Sequence, residues 1–218
     1  MSEINFNLVS NIGLLLLTVF AMVYIFIQSR RHKNRQEELN RKFLDAEDRA
    51  NSVRKKDISP DLFFEPDISD LPPLQEGDPY QIERTSKRKM IYFREPVSNL
   101  ELKQEYGPAQ MDIIAQYEEN FHDYLKSLTD WATSLAEDRE ENNVKDALWI
   151  LGYAIAHGAE FRSTYKLAAD LYAEIKDTET LQALYNAAEM QHFKDPAVRQ
   201  HVLEYIKNHL EELTVEPS

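Results

Sequence analysis

Residues 8–27 read Leu8-Val-Ser-Asn-Ile-Gly-Leu-Leu-Leu-Leu-Thr-Val-Phe-Ala-Met-Val-Tyr-Ile-Phe-Ile27, with no charged side chain among them. At a helical rise of about 1.5 Å such a run spans about 30 Å, the thickness of a bilayer's hydrocarbon core. It predicts a single transmembrane helix, and everything else is read outward from it. Glu3 is the one charged residue before the run, whereas Arg30, Arg31, Lys33 and Arg35 follow it. Lys and Arg beside a span stay cytoplasmic. The sequence therefore predicts a single-pass protein of the cell membrane, with its N-terminus outside and residues 30–218 in the cytoplasm. A cleaved signal peptide fits less well. The segment before the run is acidic, the run is too long, and no small-residue cleavage site follows.

Composition narrows the remainder. The absence of cysteine excludes disulfides, thiolate metal sites and cysteine nucleophiles. Five glycines argue against glycine-rich phosphate loops. The chain carries 25 Lys and Arg against 38 Asp and Glu. Residues 1–97 hold 15 of each sign, leaving 10 basic and 23 acidic residues for 98–218. The whole formal charge of −13 thus belongs to the C-terminal part, which repels nucleic acid and anionic lipid headgroups.

Four regions follow in order: an anchor over 1–29 with its span at 8–27, a juxtamembrane helix over 30–56, a Pro-rich linker over 57–97, and an acidic helical domain over 98–218. In the second, Leu39, Phe43, Ala46, Ala50 and Val53 recur every three to four residues. This thin stripe marks a helix and a candidate homodimer seam too short for a full coiled coil. The third holds six of the nine prolines, at 60, 66, 72, 73, 79 and 96. Proline removes donors and blocks helix, so an extended tether is expected. Its apolar residues Leu62, Phe63, Phe64, Ile68, Leu71 and Leu74 give it a second option, to lie against the folded domain or a partner. From Ser98 the pattern turns helical. Ser98 is a cap, Gly107-Pro108 and His157-Gly158 are stops, and Asp195-Pro196 is a cap followed by proline.

The helical region is self-similar at an offset of 34 residues. Trp131 falls on Tyr165, Leu135 on Ala169, Ala147 on Leu181, Leu151 on Tyr185 and Ala154 on Ala188. One step on, Tyr165, Ala168, Ala169 and Tyr172 fall on Arg199, Val202, Leu203 and Ile206. This resembles the tetratricopeptide (TPR) repeat over roughly residues 129–212, about two units and a final helix. The first unit departs from the pattern at Ser134-Leu135 and Asp138, and the usual closing proline is missing at Ala159 and Phe193. The resemblance implies an all-α fold of stacked antiparallel helix pairs, packed through Trp131, Leu135, Ala147, Leu151, Ala154, Tyr165, Ala168, Ala169, Tyr172, Leu181, Tyr185 and Ala188. It also implies a partner groove on the outward side of the first helix of each pair. The matching positions are Thr129, Ala132, Ala136 and Arg139, then Ser163, Lys166, Asp170 and Glu174.

No nucleophile, P-loop or H-E-x-x-H motif is present, and no catalytic residue, cofactor or metal ligand is assigned. Two Glu-x-x-His pairs, Glu119/His122 and Glu189/His192, match a di-iron pattern in spacing. They fall off the apolar faces of their helices, so a metal-dependent enzyme is the remote reading. The leading expectation is a membrane-anchored adaptor whose domain binds a partner peptide or helix. The alternative is an accessory subunit of a membrane complex, assembled through its span.

Overall fold

This computed structural model describes residues 2–215, with side chains described at position 22 and from 24 to 214. It divides into two compact units, residues 1–53 and 54–218. The described chain is mostly helical, with eight α-helices and one two-stranded ribbon.

The first unit is built on one long helix, α1 (Ser2–Asn51). Every described side chain from Tyr24 to Asp45 is exposed. Among the described residues, no helix is long and apolar enough to cross a membrane. That finding overturns the expected transmembrane helix, and with it the single-pass membrane localisation and the outside-to-cytoplasm orientation. Beyond Ile27, α1 carries a charged residue in every turn, among them Arg30, Arg31, Lys33, Arg35, Glu37 and Glu38. Of the run at 8–27, the side chains of 8–21 and of Val23 lie outside the described residues.

The second unit begins with the Pro-rich stretch, which takes the docked option and not the extended one. A short strand β1 (Phe63–Phe64) pairs antiparallel with β2 (Met90–Ile91), Phe63 opposite Ile91 and Phe64 opposite Met90. Between them lie a 3-10 turn at Ile68–Asp70 and a short helix α2 (Ile82–Ser86). Leu71, Ile82, Met90 and Ile91 are buried. Proline blocks long helix here, but the apolar residues between prolines have enough area to hold the segment on the helices.

The helices follow. In α3 (Asn99–Tyr106), Ser98 and Glu101 form a reciprocal capping box, and Gly107-Pro108 ends the helix. The chain then forms α4 (Met111–Glu137), α5 (Glu141–Ala156), α6 (Arg162–Glu174), α7 (Thr178–Met190) and α8 (Pro196–Val215). The Asp177 carboxylate caps α7 through the Thr180 amide at 3.0 Å, and Asp195 accepts from the Ala197 amide at 2.8 Å at the start of α8. Neighbours in sequence pack as neighbours in space from α4 to α8, and α6 also lies along α8.

The larger of two apolar clusters in this unit runs through α4–α8, and a smaller one joins Ile91, Leu102 and Ile114. Trp131, Tyr165, Leu151 and Leu181 are completely enclosed, with Ala147, Ala154, Ala168, Ala169 and Ala188 between them. Small residues let the helix backbones approach, and the large ones fill the space that remains. Tyr172 and Tyr185 are half-buried at its edge. The α5–α6 corner turns on Gly158, whose φ is +90°. A Cβ at Gly158 would stand 2.6 Å from Cζ of Tyr92, whose ring is packed on Phe121 at 4.9 Å. Both the backbone and the space require glycine there.

Candidate functional site

The residues expected to line a groove on the first helix of each pair are placed along the seam between α4, α6 and α8. Thr129, Ala132 and Ala136 are buried, and the Thr129 hydroxyl shares a 2.8 Å hydrogen bond with that of Thr164. Arg139 is ion-paired with Glu174. The Lys166 ammonium lies 4.3 Å from the centre of the Tyr205 ring. Asp170 accepts a 2.6 Å bond from the Tyr205 hydroxyl and lies 3.0 Å from Nε2 of His209. Burial, and the bond to the Asp170 carboxylate, push the Tyr205 phenol up to about 12. Ser163 is exposed. Arg139, Lys166, Asp170 and Glu174 are therefore engaged with the neighbouring helix of the same chain.

An uncovered surface lies instead on the outer side of α5. The buried residues Ala147, Ile150, Leu151 and Ala154 face the core. At positions offset from them by about half a turn stand Lys145, Trp149, Gly152 and Ala156, all exposed. With Leu148 and Tyr153, with Tyr172 from α6 and with Asp70, they border a groove of about 640 Å³. Trp149 is 62% exposed. Its side chain is nevertheless fixed, because the indole Nε1–H donates a 2.6 Å hydrogen bond to the Asp70 carbonyl. The docked Pro-rich stretch thus supplies the clamp that orients this indole. Half-burial raises the Tyr153 phenol above its ordinary value, and the Asp70 and Asp67 carboxylates reinforce the shift. Tyr172 is raised by burial and then by Asp177. Asp70 is the one carboxylate of the lining, with Lys145 and His157 also in it, and Asp67 and Asp177 act on its tyrosines.

Sequence reasoning missed this surface. The signal was present: Trp149 falls outside the 3-to-4-residue stripe of Ala147, Leu148, Leu151, Ala154 and Ile155, so a large apolar residue sits where a polar one is expected. The partner atom, the carbonyl of Asp70, is 79 residues away in sequence, and no local pattern reveals it.

A second concavity, of about 350 Å³, is lined by Tyr92, Arg94, Glu118, Glu160, His192 and Lys194 among others. Lys194 is its centre. Its ammonium donates to Glu118 at 2.9 Å and lies 3.4 Å from Nε2 of His122, while its amide donates to Glu160 at 2.5 Å. Burial first, and then the Lys194 charge, hold the His122 imidazole below its ordinary value. Both Glu-x-x-His histidines reach this region, and Glu119 and Glu189 are exposed. Among the described residues, no three His, Asp or Glu side chains converge to hold a metal ion. The Lys194 contacts tie the loop before α8 to α4 and to the α5–α6 corner, a structural clasp.

No family model, no curated protein and no solved structure matches the chain. The reading of its function rests on the geometry above.

Proposed function

We propose that residues 54–218 form a protein-interaction module that binds a partner chain in the α5 groove. The observation that carries the reading is Trp149, a large apolar side chain that is exposed yet held in one orientation by the Asp70 carbonyl. Rigid aromatic residues bordered by apolar surface are the residues that dominate binding energy at protein interfaces, because they bring contact area at little entropic cost. The groove has the size and apolar lining of a ligand site.

We further propose that α4–α8 stack in the manner of tetratricopeptide-like helix pairs. What supports this is the spacing of the contacts between successive helices. Thr129 with Thr164, Arg139 with Glu174, and Asp170 with Tyr205 are each 35 residues apart. The Lys194 amide and Glu160 are 34 apart. The contacts recur at or one residue beyond the 34-residue offset, as a stack of similar units requires. In this reading the module is a scaffold and not an enzyme.

The test is a selection of peptides from a displayed random library on the full chain, followed by titration of the recovered peptides. Saturable binding that is lost in Trp149→Ala supports the groove. Recovered peptides that bind Trp149→Ala as tightly as the unaltered chain place any interface elsewhere.

A second reading, self-association through α1, has one observation in its favour: Leu39, Phe43 and Leu44 are exposed along it. Sedimentation of the full chain and of Leu39→Lys/Phe43→Lys decides it. A dimer that dissociates on substitution supports the reading, and a monomer in both removes it.

A further inference from the structure

Gly152 stands in the middle of α5, and nothing inside the fold asks for it. A Cβ built there meets no atom within 4 Å, and the position is exposed. Glycine in a helix interior is unfavourable relative to alanine. The helix carries that cost at a place where no neighbour needs the space. Ala156, one turn further, is also exposed. Two small residues four apart make a shallow seat beside the Trp149 indole, and such a seat lets a second helix bring its backbone close. From Lys145 to Ala156 the lining runs about 16 Å at a helical rise of about 1.5 Å, three turns of a partner helix.

Charge selects among helices. Lys145, the one lysine or arginine of the lining, is already paired with Glu141 at 2.6 Å. Asp70 lines the groove beside Trp149, and the Asp70 and Asp67 carboxylates act on Tyr153, although Asp67 also accepts from Ser69; Asp177, which caps α7, acts on Tyr172. The faces of Trp149, Tyr153 and Tyr172 attract cations in addition. The acidic character of residues 98–218, with 10 basic and 23 acidic side chains, extends the same preference over the surrounding surface.

We infer that the groove takes a cationic amphipathic helix of a partner chain, its small face seated on Gly152 and Ala156 and its Lys or Arg side chains toward Asp70 and Asp67. The inference rests on the reading of the groove as the interaction surface and adds the class of partner.

The experiment uses the full chain and a displayed library of helix-forming peptides of about fourteen residues, long enough for the three turns, in which Lys, Glu, Leu and Ala are allowed at each position. The expected winners carry net positive charge with apolar residues at helical spacing. They lose about tenfold or more in affinity on Gly152→Leu, about threefold or more on Asp70→Asn, and weaken as salt is raised. Circular dichroism of Gly152→Leu serves as the folding control, since leucine favours helix at an open position. Neutral or acidic winners overturn the inference, as do cationic winners that bind Gly152→Leu undiminished. In either case sensitivity to Trp149→Ala would leave the groove reading standing. Winners indifferent to Trp149→Ala, or none above background, overturn both.

Discussion

The two sides of α5 differ in a way that composition alone hides. Ala147, Ile150, Leu151 and Ala154 on one side are fully enclosed, while Leu148, Trp149, Gly152 and Ala156 on the other border open space. Both sides are apolar. The first is consumed by the fold; on the second, Leu148 is half-buried against the core and the Trp149 indole is bonded to Asp70, while Gly152 and Ala156 stay exposed. The seam along α4, α6 and α8 is the opposite case, where charged residues are exposed yet taken up by Tyr205, His209 and Glu174. Exposure alone does not make a site; what counts is whether the group is already satisfied.

Substitutions on the two sides should separate stability from binding. The largest loss is expected on the inner side. Leu151→Ala leaves a cavity between α5 and its neighbours, and such truncations cost about 2–5 kcal/mol. Chemical denaturation should show a lower midpoint at an unchanged slope. Gly158→Ala comes next, at about 1–3 kcal/mol, because the new Cβ meets the Tyr92 ring and the backbone is held at φ +90°. Tyr92→Ala should recover part of that loss in a double-mutant cycle, and strict additivity would show that the collision is not its cause. Trp149→Ala on the outer side removes one hydrogen bond to a backbone carbonyl. About 1 kcal/mol is expected. A loss as large as that of Leu151→Ala would mean that the indole serves the fold and not a partner.

Much of the helical part was legible in sequence because its signals are local. Ser98 and Asp195 are caps, Gly107-Pro108 and Gly158 are stops, and the apolar stripes of α4–α8 follow the 3.6-residue period. Three features were not legible. The Pro-rich stretch was expected as a tether because proline argues against helix. It docks because Ile82, Met90 and Ile91 find cover on α4 and Leu71 joins the core; the apolar residues among its prolines marked the option, but not which one the fold takes. The expected groove residues were chosen for outward direction on one helix; α6 supplies the partners of Thr129 and Arg139, and α8 those of Lys166 and Asp170, from 35 to 39 residues away. The span at 8–27 was read from apolarity and length, and no helix of the described residues has both. The α5 groove joins residues from the Pro-rich stretch, α5 and α6, so it exists only once these have come together.

Gly152→Ala is the smallest substitution and the one whose sign is most informative. On the inner side of α5 every change of volume should destabilise, since the space is filled. At Gly152 the added methyl meets nothing, and alanine removes backbone freedom from the unfolded chain. A gain of about 0.5–1 kcal/mol is expected, read as a higher denaturation midpoint. Partner peptides seated on the helix backbone should bind this more stable variant less tightly, because the methyl stands where their own backbone approaches. Stability and affinity moving in opposite directions would locate the reason for the glycine outside the chain. If both rise together, the glycine is merely tolerated and the seat is filled by something other than a close-packed helix.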